Sequence, residues 1–358
     1  MLNRAEPLRR TTVIGGLVAL CGLACHGGEG ARSAEVAEPT SAIAAAATGL
    51  ELATSPVAEL YFLVRSQAAG VSEGLPELEP LVNAWLPVQE KVGAFGGYWR
   101  FDLAGLLATS PEEFADWFAE APVTAATRSG TEVPVQGPGL ALAAAMADVW
   151  PWFLEEIWPA RRSQHEEVLK QLARRFLPEH RRALAHMMES LRIEDPQTVV
   201  PMVLVLDAHP PGASTYFSRE GPIAVLSTRE LLSEGRFGDF EETLLHETCH
   251  ALDSADRADG DIFSVLRQRL QEAGLEPRDR RLREVPHLVM FAQAEETMRR
   301  LFDSDHVAYG DTQRGEVAPL YERSGPAAEV VRSAWSAYLD EEIDFDAAVE
   351  RIVAGTVR

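Results

Sequence analysis

The stretch DFEETLLHETCHALD, residues 239–253, carries the clearest local pattern in the chain. We expect a helix here, because Asp239 is a suitable N-cap and Glu242, three residues on, completes a capping box. His246 and His250 are four residues apart, so a helix places both imidazoles on one face. The face that packs on the core is predicted to contain Leu245, Cys249 and Leu252.

Residues 246–250 have the form HExxH, a pattern that indicates a metal site when it lies on a helix. His246 and His250 supply two nitrogen ligands, and zinc accepts such ligands tetrahedrally. Bound zinc lowers the pKa of a coordinated water, whose proton Glu247 would take as general base. We therefore expect one Zn²⁺ per chain, with Glu247 as a catalytic residue and Cys249 as a small core residue.

Two known ways of completing such a site fit this chain poorly. A metzincin would place a third ligand at Asp256 and a turn glycine at position 253, but that position is Asp253. An aspzincin would place an aspartate three residues before Tyr309-Gly310, and that position is His306. The sequence therefore favours a ligand on a later helix.

A glutamate on a later helix, the gluzincin arrangement, is available at Glu295 or Glu296. In gluzincins the ligand is followed by apolar residues two, five and six positions on. From Glu296 these positions are Met298, Leu301 and Phe302, whereas from Glu295 two of the three are polar. We predict Glu296 as the third metal ligand, with Glu295 as the alternative.

The chain also resembles a group of uncharacterised bacterial zinc metallopeptidases with the HExxH motif, of gluzincin-like type. The resemblance lies in HETCHALD (246–253), PHLVMFAQAEETMRRLF (286–302), and AYG (308–310) followed by RSAWSAYLDEEID (332–344). A His and a Glu nine residues apart recur in that group, which here correspond to His287 and Glu296. The chain departs from the group at Glu295, where a small residue is expected. The resemblance implies a zinc peptidase acting on a peptide or protein.

Two further residues are candidates for stabilising the oxyanion that forms when a carbonyl is attacked. Tyr309 follows the ligand helix, where gluzincin-like sites often carry a tyrosine or histidine that donates to this oxyanion. His287 is the rival candidate for that role.

The short apolar run 223–226 is expected to be a sheet edge along which an extended substrate could pair.

The N-terminus predicts export. Arg4, Arg9 and Arg10 precede a short apolar stretch, Val13 to Ala24. The last two residues of this stretch and the next residue, Cys25, form the sequence Leu-Ala-Cys. This ending resembles a bacterial lipoprotein signal, so we expect residues 1–25 to be the signal and a lipid on Cys25 to anchor the protein to a membrane. Plain secretion is the alternative. Residues 26–54 are rich in small and polar residues and predict a flexible tether.

The composition restricts the partners. A formal net charge of -22 argues against nucleic acid, and against direct binding to an anionic membrane surface, because both need a basic surface. Contact with a membrane is therefore expected only through the lipid.

The remaining chain divides into a helical region, residues 55–195, and a region carrying the motif, residues 196–358. Helix signals dominate the first, including Ser55-Pro56 and Ser110-Pro111 at helix starts, and the stretch 123–139 is expected to be a loop. Apolar runs at 199–206 and 223–226 predict two strands before the HExxH helix. We expect an α+β fold, mostly helical and zincin-like. The function predicted is a zinc-dependent hydrolase, most consistent with a peptidase; the alternative is a lipid-anchored zinc-binding protein without turnover.

Overall fold

A computed structural model of the protein describes residues 42–45, 50–72, 74–92, 99–126, 132–193, 200–206, 213–218, 221–229, 237–253, 260–311, 321 and 324–357. Its helices are α1 (Pro56–Ala68), α2 (Glu79–Val92), α3 (Trp99–Leu107), α4 (Pro111–Ala119), α5 (Gln136–Trp152), α6 (Trp158–Arg175), α7 (Leu177–Ser190), α8 (Phe237–Leu252), α9 (Ile262–Glu272), α10 (Arg281–Leu301), α11 (Pro326–Leu339) and α12 (Phe345–Thr356). Its strands are β1 (Ala42–Ala45), β2 (Leu50–Thr54), β3 (Thr124–Ala126), β4 (Glu132–Pro134), β5 (Val200–Val205), β6 (Ala213–Phe217) and β7 (Pro222–Ser227).

The main sheet is small and mixed. It has five strands in the order β1-β2-β5-β7-β6, and β3 pairs with β4 in a separate hairpin. Strands β2, β5 and β7 run parallel, whereas β1 and β6 are antiparallel to their neighbours. The expectation that 223–226 forms a sheet edge is wrong, because β7 is hydrogen-bonded to β5 on one side and to β6 on the other. Strand β6 is the edge on that side among the described strands.

Helices cover both faces of this sheet. Alternate residues of a strand point to opposite faces. Met202 and Leu204 of β5 therefore join a core cluster with helices α6 to α12. Val203 and Val205 join a second cluster, which contains helices α1 to α5. Helices α1 to α5 and the helices of the region carrying the motif thus pack on the same strands from opposite sides.

Helices α8 and α10 pack against each other in opposite directions, and the candidate site lies between them. The His250 ring lies beside His287, with 4.9 Å between centroids. One turn away on α8, His246 lies against Phe291, which is one turn further along α10. Side chains from both helices therefore face each other in successive layers.

Much of the expected secondary structure is confirmed. Ser55 and Ser110 cap α1 and α4 by accepting from the N–H groups of Ala58 and Glu113, and both predicted strands are present. Around the HExxH motif, helix α8 is found, but the predicted capping box is wrong. The helix already includes Phe237, and Glu242 bonds elsewhere.

Other expectations differ from the structure or lie outside the described residues. The folded part begins before Ser55, because Leu50–Thr54 is a buried strand paired with β5. The expected loop at 123–139 contains the β3–β4 hairpin and the start of α5. The α+β class is confirmed in general form, as a mostly helical chain with a small mixed sheet. The signal with Cys25, and Asp256, lie outside the described residues.

No helix in the described ranges is both long enough and apolar enough to cross a membrane.

Candidate metal centre

Three histidines converge between α8 and α10. His246 and His250 come from α8 and His287 comes from the second turn of α10. One ligand atom from each lies within 4.8 Å of the other two, which is close enough for a single metal ion. The Nε2 atoms of His246 and His287 are 3.1 Å apart. The predicted pair of HExxH histidines is therefore brought together, and His287 joins them.

Burial keeps these imidazoles neutral. It lowers the pKa of His250 to about 3 and that of His287 to about 4, and it holds the pKa of His246 well below its usual range. The neighbouring imidazoles also lower the pKa of His246 and His250, because a second positive charge there would be repelled. His246 in addition has a buried Nδ1 with no hydrogen-bond partner in the described part of the chain. His246 is buried and His250 and His287 are partly buried, and neutral imidazole nitrogens grouped in this way suit a bound cation.

Phe291 forms one wall of the cluster. Its ring stacks on His246 at 3.8 Å between centroids with an interplanar angle of 17°, and it contacts His287 at 4.8 Å. The Tyr321 ring contacts the Phe291 ring in an edge-to-face arrangement, with 5.9 Å between centroids. These aromatic contacts restrict the orientation of the His246 and His287 rings.

Cys249 takes no part in the cluster. It is fully buried, its thiol points toward the backbone oxygen of Met290 at 3.9 Å, and burial raises its pKa. A thiol that stays protonated is a poor metal ligand. The prediction that Cys249 is a core residue is confirmed.

Glu247, next to His246 in sequence on α8, is a buried carboxyl. Its side chain is 3% exposed, and the hydroxyl of Thr215 on strand β6 donates to its Oε2 at 2.6 Å. Burial raises the pKa of Glu247 to about 7, and the Thr215 hydrogen bond opposes this rise. A carboxyl with a pKa near neutrality can both accept and return a proton at physiological pH. Thr215 was not identified from the sequence.

Glu296 is not brought to the histidines. It is nine residues after His287 on a continuous helix, which is two and a half turns, so the two side chains leave α10 on opposite sides. Its carboxylate, 13% exposed, instead pairs with Arg299 at 3.5 Å and Arg300 at 3.3 Å. In place of the predicted Glu296, the structure puts His287 beside His246 and His250.

The reserve candidate, Glu295, is also engaged elsewhere. It is 2% exposed and bonds Arg299 and Arg332 at 2.6 Å each. Two guanidinium groups balance its charge within the core. The spacing of His287 and Phe291 could have identified His287 from the sequence. The two residues are four apart, so a helix places them on one face, and Phe291 predicts that this face is buried.

Tyr309 and His306 lie next to Glu242, one turn before His246 on α8. The Glu242 Oε2 accepts from the backbone N–H of Tyr309 at 2.8 Å and lies 2.7 Å from His306 Nε2. Burial raises the pKa of Glu242, and the contact with His306 opposes this. The buried Tyr309 is thus tied to the histidine helix through its backbone. The role of its hydroxyl as oxyanion donor stays a prediction.

No protein-family model, no curated protein and no solved structure matches the chain.

Proposed function

We propose that this protein is a zinc-dependent hydrolase of the peptidase type. The observation that carries the proposal is the combination of three converging, neutral histidines with a buried carboxyl whose pKa is about 7. The histidines provide the ligands, and Glu247 provides a base that a site built only to hold metal would not need.

Zinc is the metal that fits this donor set best. Imidazole nitrogen suits zinc among the common divalent ions, whereas magnesium and calcium prefer oxygen. Within the described residues the cluster has three members, His246, His250 and His287. Three protein ligands leave one position of a tetrahedral ion open, as in catalytic sites, whereas structural sites are closed by a fourth.

The chemistry divides between the ion and the chain. Bound zinc would act as a Lewis acid on a carbonyl and make a water acidic near neutral pH. Glu247 takes the proton released during attack and returns it to the leaving amine, for which a pKa of about 7 is well placed. Thr215 holds the Glu247 carboxyl in one orientation through its hydroxyl.

An extended peptide is the substrate best supported by the surroundings of the site. Strand β6 is hydrogen-bonded to β7 on one side only, among the described strands. The same strand carries Thr215, which touches the base. A peptide added along β6 would use backbone groups for binding and would pass beside Glu247. A helix bearing HExxH next to such an edge supports a zincin-like fold, and we retain export and anchoring through Cys25 as part of the proposal.

The test is a comparison of cleavage and zinc content. The full-length protein, loaded with zinc, is incubated with a synthetic mixture of decapeptides, and products are identified by mass spectrometry. We expect about one zinc per chain and cleavage by the wild type and by Glu296→Gln. Glu247→Gln should keep its zinc and lose cleavage by two or more orders of magnitude. Zinc binding without cleavage in the wild type would favour a zinc-binding protein without turnover.

A further inference from the structure

Strand β6 is held from both of its faces, by side chains that are consecutive in sequence. Thr215 points to one face and bonds Glu247 of α8. Tyr216 points to the other face, where its hydroxyl bonds Asp102 of α3 and its ring packs on the core formed by the N-terminal helices. The edge strand therefore links the base to the N-terminal helical region.

Asp102 is the centre of this anchor. It is 3% exposed and accepts from the Tyr61 hydroxyl at 2.8 Å. It also pairs with Arg65 of α1, and the Tyr216 hydroxyl bonds both Asp102 and Arg65. Burial and the Asp102 charge raise the pKa of Tyr216, so the phenol stays protonated and donates. Hydrogen bonds to a buried charge are among the stronger ones in proteins.

The anchor matters because β6 is hydrogen-bonded to the sheet on one side only, among the described strands. An edge strand has backbone hydrogen bonds on one side only, so its position depends on side-chain contacts. A catalytic base must be held within about 0.5 Å of its working geometry. A shift of β6 would move the Thr215 hydroxyl relative to Glu247, with which it shares a 2.6 Å hydrogen bond.

We propose that Tyr216 is a positioning residue, through which the N-terminal helical region fixes strand β6 and thereby Thr215 and the base Glu247. The anchoring of β6 stands on the contacts above; the effect on the base rests on the proposed function. This assigns a role to a helical half whose described residues contribute no ligand to the histidine cluster.

The chain offers a matched pair of variants. Tyr216→Phe and Tyr61→Phe each delete one hydroxyl that bonds the same Asp102 carboxylate. Only the first deletion releases β6, because Tyr61 lies on α1. Both rings keep their packing, so both variants should fold with similar losses of stability.

Amide hydrogen exchange of the metal-free, full-length protein tests the anchor without any activity. We expect exchange across residues 213–217 to accelerate by about tenfold in Tyr216→Phe, which corresponds to one strong hydrogen bond. Tyr61→Phe should leave this segment unchanged. Equal exchange of residues 213–217 in the two variants would overturn the proposal, whether or not the protein is a hydrolase.

Cleavage of one decapeptide, chosen from those that the wild type cleaves, then tests the link to the base. Tyr216→Phe should lower kcat at least fivefold with KM little changed, and in a Thr215→Val background it should have no further effect, because it acts through Thr215. Tyr61→Phe should keep the wild-type kcat. Additive losses from Tyr216→Phe and Thr215→Val would overturn the role of Tyr216 in placing the base while leaving the proposed hydrolase intact.

Discussion

Replacing His287 by alanine should remove most of the affinity of the protein for zinc. The His287 Nε2 is 3.1 Å from that of His246, so one ion can contact both. Zinc sites with four protein ligands bind with roughly 10–16 kcal/mol, or about 2.5–4 kcal/mol per ligand. At about 1.4 kcal/mol per factor of ten, the loss of one ligand should raise the zinc Kd by roughly two to three orders of magnitude.

The control for this variant lies on the same helix. Glu296→Ala removes a partly exposed carboxylate paired with two arginines, an interaction worth about 0–1 kcal/mol, and it should change the zinc Kd less than threefold. Both constants are measured by competition with a chromogenic chelator, and thermal melting of the metal-free variants shows that they fold. A large loss in Glu296→Ala together with a small one in His287→Ala would refute the assignment of the ligands.

Three other predictions concern the base, the histidines and the core. Thr215→Val removes the bond that lowers the Glu247 pKa, so the acid limb of the cleavage profile should move to higher pH than in the wild type; a shift to lower pH would contradict this. The folded histidines have pKa values well below 6.5 and gain almost no proton as pH falls from 6.5 to 5.5, so zinc affinity should fall about tenfold or less. Three unperturbed histidines would each lose about a factor of five in neutral fraction, or roughly 170-fold together. Glu59→Gln should cost about 3 kcal/mol in urea unfolding, because buried Glu59 bonds Arg161, His165 and the N–H of Leu206, and a loss below about 1 kcal/mol would contradict that role.

Local signals were sufficient for the elements that are stabilised locally. Ser55 and Ser110 identified two helix starts, and the four-residue spacing of His246 and His250 identified one face of α8. Strand β2 was missed because its partner β5 lies about 150 residues later in the chain. The sequence of Leu50–Thr54 by itself does not differ clearly from the end of the predicted tether. Such pairing depends on tertiary context rather than on local propensity.

Sequence reasoning expected Glu296 at the histidines for a related reason, and the structure places His287 there instead. The choice of Glu296 rested on the apolar residues that follow it and on a resemblance. Both arguments indicate a buried helix, but neither determines which side of that helix faces the histidines. Nine residues are two and a half helical turns, so Glu296 and His287 lie on opposite sides of α10. A straight α10 can therefore present only one of them to α8. Thr215 was missed because β6 carries no strong strand signal and meets α8 only in the folded chain.

The most direct test is the position of the metal itself. Crystals of the zinc-loaded protein, measured above and below the zinc absorption edge, should show one strong anomalous peak between α8 and α10. We predict nitrogen ligands from His246, His250 and His287 at about 2.0–2.1 Å from the peak, with the fourth position free of protein. A peak bonded to Glu296 or to the Cys249 sulfur, or no peak near His287, would contradict the account.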